Sequence, residues 1–299
     1  MAARERVLIT GGSGFIGSAL CRSLIGSGED VIVLTRDAQR AHRRLPEQVV
    51  LVERLGDAGD VDAVVNLAGE NLAAGRWTAA RKQAIRDSRI GTTRDLVAWI
   101  AARQHKPSVL VSGSAIGWYG ARGDEELGEE AQPGDDFAAR LCRDWEAEAE
   151  RAQALGVRVC RIRTGVVLDA DGGALAKMLP PFRLGLGGRL GDGRQWMSWI
   201  ARSDIVGLIR WLTKTGSTQG VYNATAPGPV TNADFARVLG AALHRPALLP
   251  APAFALRLML GEMADLLLTG QRVLPQRAQA QGFRFRYSEL SGALSAIVG

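Results

Sequence analysis

The sequence predicts an α/β fold: a doubly wound parallel sheet followed by a smaller, mixed C-terminal lobe. Short apolar runs alternate with helical patterns, a glycine-rich turn follows the first run, and the alternation weakens after Val167. The chain has 299 residues, 46% of them hydrophobic and 23% charged, which is typical of a globular protein. We therefore expect a sheet domain over residues 1–225 and a small C-terminal domain over 226–299.

Residues 7–20 organise the rest of the chain. An apolar run ends at Thr10, glycines follow, and a helical apolar pattern begins at Phe15. Glycines at 12, 14 and 17 fit the spacing G-x-G-x-x-G, and those at 11, 14 and 17 fit G-x-x-G-x-x-G. Without Cβ atoms, such a turn lets a pyrophosphate reach backbone N–H groups at a helix N-terminus. The stretch predicts a Rossmann-type, dinucleotide-binding domain, with candidate cofactor contacts at Thr10, Gly11, Gly12, Gly14, Phe15, Ile16 and Gly17.

The end of the second predicted strand, 31–34, indicates which dinucleotide is bound. Thr35 and Arg36 stand there instead of an acidic residue that would accept from the ribose hydroxyls of NAD. A guanidinium suits a 2′-phosphate. We therefore predict that NADP(H) is preferred over NAD(H), and we interpret the other nearby arginines as a solvated helix face.

Further strands are predicted at 49–52, 61–67, 109–111 and 157–162, and helices at 78–103 and 135–155. Ligands of such sheets bind at the carboxyl ends of the strands. This adds Leu67, Ala68, Gly69, Glu70 and Ser112 as candidate cofactor contacts.

After Val167 the glycine-rich segment 171–199 is predicted to be a loop-rich wall over the cofactor site. A helix at 203–214, a strand at 221–224 and a helix at 231–243 with Thr231 as its N-cap follow. The apolar spacing over 254–268 predicts an amphipathic helix that packs on the core. Candidate substrate contacts in the wall are Lys177, Arg194, Trp196 and Trp199, although Lys177 also suits an outer helix face and the tryptophans also suit a core.

Composition excludes several functions. The net charge is +6, but the positive residues are scattered, which favours a phosphorylated small ligand over nucleic acid. The three cysteines fit a reducing compartment, the three histidines lack metal-ligand spacing, and no apolar run is long enough for a membrane span. We expect a cytoplasmic protein with no metal, no membrane contact and no nucleic acid, and no signal peptide before the first strand.

The segment after the fifth predicted strand, Ser112-Gly-Ser-Ala-Ile-Gly-Trp-Tyr-Gly, carries the groups best suited to chemistry. Ser114 could position a substrate oxygen and Tyr119 could donate or accept a proton. Both also have structural explanations, since a serine after a strand often caps a turn and a Trp-Tyr pair often packs in a core.

These motifs resemble the extended short-chain dehydrogenase/reductases, the group of NAD(P)-dependent epimerases and dehydratases. The resemblance rests on Thr-Gly-Gly-Ser-Gly-Phe-Ile-Gly at 10–17, Asn66-Leu-Ala-Gly, the segment at 112–120 and Arg163-Thr-Gly-Val-Val. The stretches at 66–71, 178–188, 261–264 and 270–273 resemble a subgroup called epimerase family protein, which ends in a domain of unknown function. The resemblance implies a Rossmann fold, bound NADP(H), a cleft between core and C-terminal lobe, and a homodimer.

One departure from the family pattern bears on mechanism. The family uses a Tyr-x-x-x-Lys pair, whose lysine lowers the phenol pKa, and this chain contains no such pair. Phe137 and Leu141 stand at those positions, and Ser88 stands where many members have an asparagine. Two functions therefore remain: an NADP(H)-dependent oxidoreductase or sugar-nucleotide-type epimerase acting on a small metabolite, or a catalytically silent NADP(H)-binding regulatory protein.

Overall fold

A parallel seven-stranded sheet forms the centre of the protein. The computed structural model describes residues 4–72 and 75–299. The strands are β1 (Arg6–Thr10), β2 (Asp30–Leu34), β3 (Val50–Val52), β4 (Ala63–Asn66), β5 (Val109–Ala115), β6 (Glu126–Leu127), β7 (Arg158–Thr164), β8 (Val166–Asp169), β9 (Trp196–Met197), β10 (Trp199–Ala201), β11 (Gly220–Ala224), β12 (Val230–Thr231) and β13 (Arg272–Val273). The central sheet has the order β11-β7-β5-β4-β1-β2-β3. The strand order reverses between β1 and β4, which is where a doubly wound sheet binds its ligand.

Helices cover both faces of this sheet. They are α1 (Phe15–Ile25), α2 (Ala38–His42), α3 (Ala79–Arg86), α4 (Thr92–Ala101), α5 (Phe137–Glu150), α6 (Gly173–Arg183), α7 (Arg202–Lys214), α8 (Asn232–Ala242), α9 (Ala253–Leu260), α10 (Asp265–Leu268), α11 (Gln276–Ala280) and α12 (Leu290–Val298). A π-helical turn, Asp87–Gly91, joins α3 to α4. The doubly wound fold predicted from the sequence is confirmed.

Alternate residues of the strands supply the two cores. On one face Val7 and Ile9 pack with α1 and α7, and on the other Leu8 packs with α4 and the end of α5. Since successive strand side chains point to opposite faces, a strand buried on both sides reads as an uninterrupted apolar run. That is the pattern from which the strands were predicted.

The C-terminal lobe draws on segments from both sides of residue 225. Its core combines Leu175 and Phe182 of α6 with Phe235 of α8 and Leu290 of α12. The segment 171–199 was expected to be loop-rich, but it contains the 11-residue helix α6. The buried side chains of α6 pack in the core of the lobe, which stabilises the helix although Pro180 lies within the helix.

The amphipathic stretch 254–268 differs from the prediction. Gly261 has a φ of +61° and ends α9, so the stretch is two short helices joined by a 3-10 turn. Phe254 and Met259 are 75% and 69% exposed, whereas Met263 is buried. The prediction of one core-packing helix is therefore wrong for α9, which has no buried residue. None of the described helices combines the length and apolar character that a membrane span needs.

Candidate functional site

The glycine turn after β1 packs tightly against the end of β4. Gly11 has a φ of +70°, and a Cβ there would stand 2.5 Å from the carbonyl oxygen of Leu67. A Cβ on Gly17 would stand 2.3 Å from the carbonyl oxygen of Gly11. Thr10 fixes the same junction, since its hydroxyl donates to Asn66 at 2.6 Å and accepts the N–H of Ala68 at 3.3 Å. Only glycine suits these positions, which explains the spacing of the motif.

The helix that follows begins without a side-chain cap. Gly14 is the N-cap of α1, and no side chain in 4–72 or 75–299 accepts a hydrogen bond there. By contrast, Asp37, Thr78, Asp136 and Thr231 cap α2, α3, α5 and α8. The first-turn N–H groups of α1, at Phe15, Ile16 and Gly17, have no helical acceptor. An uncapped N-terminus behind a glycine turn fits a pyrophosphate.

The end of β2 presents a nearly free guanidinium. The Arg36 side chain is 92% exposed, and one of its nitrogens lies 3.4 Å from Glu70. Glu70 also lies 3.4 Å from Arg81, so it has a second cationic partner. Thr35 stands beside Arg36, and its hydroxyl donates to the carbonyl oxygen of Asp37. The Thr35–Arg36 segment can therefore bind an anion without breaking a buried contact.

The other predicted cofactor contacts divide into two groups. Leu67, Ala68, Gly69 and Glu70 follow β4. Leu67 and Ala68 lie against Gly11 of the glycine turn, and Glu70 lies beside Arg36. Ser112 is fully buried, and its hydroxyl lies 3.4 Å from the Asn66 amide. This contact helps to fix Asn66 at the end of β4. Ser88 accepts the backbone N–H of Glu70 at 3.0 Å.

A buried polar network joins Ser114 and Tyr119. Ser114 donates to Glu146 at 2.6 Å, and Arg163 donates to both carboxylate oxygens of Glu146 at 2.8 and 3.0 Å. Arg163 also donates to the Tyr119 hydroxyl at 3.0 Å, and that hydroxyl donates to Asn223 at 2.7 Å. Each of these five residues is 4% exposed or less. The network connects β5, α5, β7 and β11 under the carboxyl edge of the sheet.

Electrostatics in this network follow from burial and pairing. Burial raises the pKa of Tyr119, and the nearby Arg163 only partly offsets this, so the phenol stays protonated at neutral pH. Burial alone would lower the pKa of Arg163, but hydrogen bonds to Glu146 and its charge outweigh burial and raise that pKa. The network is thus a fixed ion pair with a neutral phenol beside it. The structure gives Tyr119 a supporting position rather than a place where a substrate reaches it.

The structure places the four predicted substrate contacts in different surroundings. Trp199 is fully buried and its indole N–H donates to the carbonyl of Gly228, so it belongs to the lobe core and has no free face for a substrate. Trp196 is partly buried, with the Arg272 guanidinium 4.6 Å from its ring. Lys177 and Arg194 are exposed.

Comparison with known proteins identifies the family. The model of the NAD dependent epimerase/dehydratase family matches residues 7–225, and that of a domain of unknown function, DUF1731, matches residues 251–297. The chain belongs to the NAD dependent epimerase/dehydratase family. The resemblance inferred from the sequence motifs is confirmed.

Relatives of this family match nearly the whole length of the chain. A chloroplastic homologue of epimerase family protein SDR39U1 from Arabidopsis thaliana is 42% identical over 98% of this chain and 86% of its own length. An epimerase family protein of Mycobacterium bovis is 42% identical over 96% of each chain. The crystal structure of human epimerase family protein SDR39U1 (isoform 2) with NADPH has a TM-score of 0.89, 36% identity and 98% coverage of both chains.

Phe137 and Leu141, which the sequence analysis placed at the family's tyrosine and lysine positions, lie in α5. Leu141 is buried among Ile85, Ile90 and Trp145. The Phe137 ring meets Trp77 edge-on at 5.2 Å, and the Lys82 amine lies 5.0 Å from the Phe137 centroid. Phe137 and Leu141 therefore belong to an apolar cluster with the Lys82 amine beside it.

Sequence reasoning missed several residues of the site. Glu146 and Asn223 complete the buried network, and Trp77 and Lys82 line the surface at Phe137. Arg163 was seen only as part of a motif. The signal that the sequence offered was the position of Arg163, a charged residue inside an apolar run. Because a buried charge requires a partner, this position predicts a nearby carboxylate.

Proposed function

We propose that this chain is an NADP(H)-binding oxidoreductase or epimerase-like enzyme that acts on a small anionic metabolite. One observation carries the proposal: the uncapped glycine turn at α1 and the exposed Arg36 at the end of β2 flank the strand-order reversal between β1 and β4. The human relative whose crystal structure contains NADPH supports it.

Different residues would bind different parts of the cofactor. The N–H groups of the first turn of α1 would bind the pyrophosphate, and Arg36, next to Thr35, would bind the 2′-phosphate. NADP(H), when bound, supplies or accepts a hydride. The chain's own contribution is to bind and orient the reactants, because Phe137 at the tyrosine position has no proton to move. This is why we propose an enzyme without the family's Tyr-x-x-x-Lys base.

A second candidate function is a catalytically silent NADP(H)-binding regulatory protein. Phe137 and Leu141 favour it, as does the burial of Ser114 and Tyr119. Oxidation of NADPH in the presence of a panel of sugars, quinones and carbonyl compounds discriminates the two. Turnover with one compound class supports the enzyme, and tight NADPH binding without turnover favours the silent protein.

Three further expectations stay predictions. The buried free cysteines fit a reducing compartment, and we propose a cytoplasmic location. The small-molecule partner rests on the scattered positive charge of the sequence, and the homodimer rests on the resemblance alone.

Charge reversal at Arg36 tests the cofactor assignment. A hydrogen bond to a charged group contributes about 1.5–3 kcal/mol, so R36E should weaken NADPH binding about 10- to 100-fold. NADH affinity should change little, because NADH carries no 2′-phosphate. Arg44→Glu, the same charge change on an exposed neighbouring residue, is the matched control. Calorimetric titration measures both cofactors, and equal losses for NADPH and NADH would show that the phosphate site lies elsewhere.

A further inference from the structure

An ammonium–carboxylate pair joins the core to the C-terminal lobe beside Phe137. The amine of Lys82, on α3, lies 2.6 Å from both carboxylate oxygens of Glu262. Glu262 belongs to the 3-10 turn that Gly261 begins with its φ of +61°. The same amine faces the Phe137 ring at 5.0 Å. A lysine of the core therefore holds a carboxylate of the lobe, and the lysine lies beside the aromatic pair of Trp77 and Phe137.

The aromatic pair of Trp77 and Phe137 lies at the ligand-binding edge of the sheet. Phe137 is the first residue of α5, and a Cβ on Gly117, in the turn after β5, would stand 3.1 Å from the Cβ of Ala138. Trp77, before α3, donates its indole N–H to the carbonyl of Leu72 at 3.0 Å, which ties it to the segment after β4. In open α/β sheets ligands bind outside the carboxyl ends of the strands.

Cations exceed anions in the segment around Lys82. Arg76 donates to the backbone carbonyls of Met259 (3.1 Å) and Leu258, which are neutral acceptors. The Nε atom of Arg81 is buried and has no hydrogen-bond partner within the described part of the chain. The segment from Arg76 to Lys82 thus offers more positive charge and more donors than Glu70 and Glu262 satisfy.

The pair between Lys82 and Glu262 is easy to displace. The two side chains are 27% and 49% exposed. Ion pairs with such access to water contribute little to stability, since water and salt screen them and two long side chains lose freedom. The contact is therefore too weak to hold the lobe in place against a competing anion.

We propose that Lys82 binds a carboxylate of the substrate, and that Glu262 occupies this position in the free protein. Trp77 and Phe137 then contact an apolar or aromatic part of the same molecule, so the substrate class is a small carboxylate with such a part. The proposal deepens the proposed function and rests on it in taking this edge of the sheet as the substrate side.

Benzoate tests the proposal, and benzamide, its neutral counterpart, is the control ligand. Both are titrated calorimetrically into the full chain without nucleotide. E262Q removes the competing carboxylate and its repulsion, so benzoate should bind about five-fold more tightly while benzamide is unchanged. K82Q should abolish benzoate binding, and so should the double variant K82Q/E262Q. K106Q, which removes an exposed amine elsewhere, should bind benzoate like the wild type.

Two results would overturn the assignment. One is benzoate affinity that does not rise in E262Q, and the other is a rise that persists in K82Q/E262Q. Calorimetric titration with NADPH, performed separately on each variant, verifies that the core is folded. Equal losses of NADPH and NADH affinity in R36E, together with the expected benzoate results, would refute the proposed function alone. The expected R36E result together with failed benzoate results would refute the carboxylate site alone.

Discussion

Glu146 and Arg163 are 2% and 3% exposed, which makes them the most buried ion pair that the described residues contain. The guanidinium meets the carboxylate through two parallel contacts of 2.8 and 3.0 Å. Glu146→Gln keeps the shape but leaves the Arg163 charge buried without its counter-charge. Breaking such a pair by removing one partner costs about 3–5 kcal/mol. We expect the free energy of unfolding of E146Q to fall by that amount.

Two comparison variants separate charge from hydrogen bonding. Tyr119→Phe removes a neutral hydroxyl that bonds to Asn223 and Arg163, and it should cost about 1–3 kcal/mol. Glu148→Gln breaks pairs with Arg94 and Arg151, whose side chains are 57% and 62% exposed, and it should cost about 1 kcal/mol or less. The expected order of destabilisation is therefore Glu146, then Tyr119, then Glu148.

Urea unfolding followed by tryptophan fluorescence measures all three variants. The double variant E146Q/R163M removes both charges and should recover part of the loss, because the cost lies in the unpaired charge. An E146Q protein within about 0.5 kcal/mol of the wild type, a change typical of surface sites, would refute the reasoning. A double variant no more stable than E146Q would show that the loss comes from shape.

Two further predictions concern the glycine turn and the pH dependence of stability. Gly17→Ala places a Cβ 2.3 Å from the Gly11 carbonyl oxygen, so it should destabilise the turn and weaken NADPH binding. A Cβ on Gly292, in α12, would meet nothing within 4 Å, so Gly292→Ala should raise the free energy of unfolding by about 0.5–1 kcal/mol. Thermal unfolding and NADPH titration check the pair, and similar effects of both changes would contradict it. Burial raises the pKa of Glu129 above its ordinary 4.5, so the folded protein binds that proton more tightly and stability falls as the pH rises from about 4.5 through the raised pKa. Glu129→Gln should lose less stability than the wild type between pH 5 and pH 8 in urea titrations, and parallel curves would count against this assignment.

Local sequence patterns predicted the sheet well because its inner strands are buried on both faces and therefore form apolar runs. The N-cap at Thr231 is confirmed, since its hydroxyl accepts from the N–H of Asp234. The patterns failed where glycine and proline dominate. In α6, Pro180 and the flanking glycines obscured a helix that the lobe core stabilises, and in α9 one glycine with a positive φ broke an otherwise periodic stretch.

The site was less predictable because its contacts join distant parts of the chain. The Tyr119 hydroxyl bonds to Asn223, 104 residues away, and Lys82 bonds to Glu262, 180 residues away. Periodicity and spacing describe neighbours, so they indicated that Ser114 and Tyr119 lie after a strand but not that both are buried. The glycine turn is the opposite case, because its geometry is set within a few residues.

The position of Phe137 connects the two proposals. Tyr119, the nearest phenol in sequence, is fully buried, and burial raises its pKa and keeps it protonated at neutral pH, so it does not act as a base there. The ionisable group that faces Phe137 is instead Lys82, already paired with a carboxylate. An ammonium group in this place favours binding and orienting an anion over removing a proton. Taken together, the two proposals describe a reaction in which the protein positions a carboxylate-bearing substrate for hydride transfer.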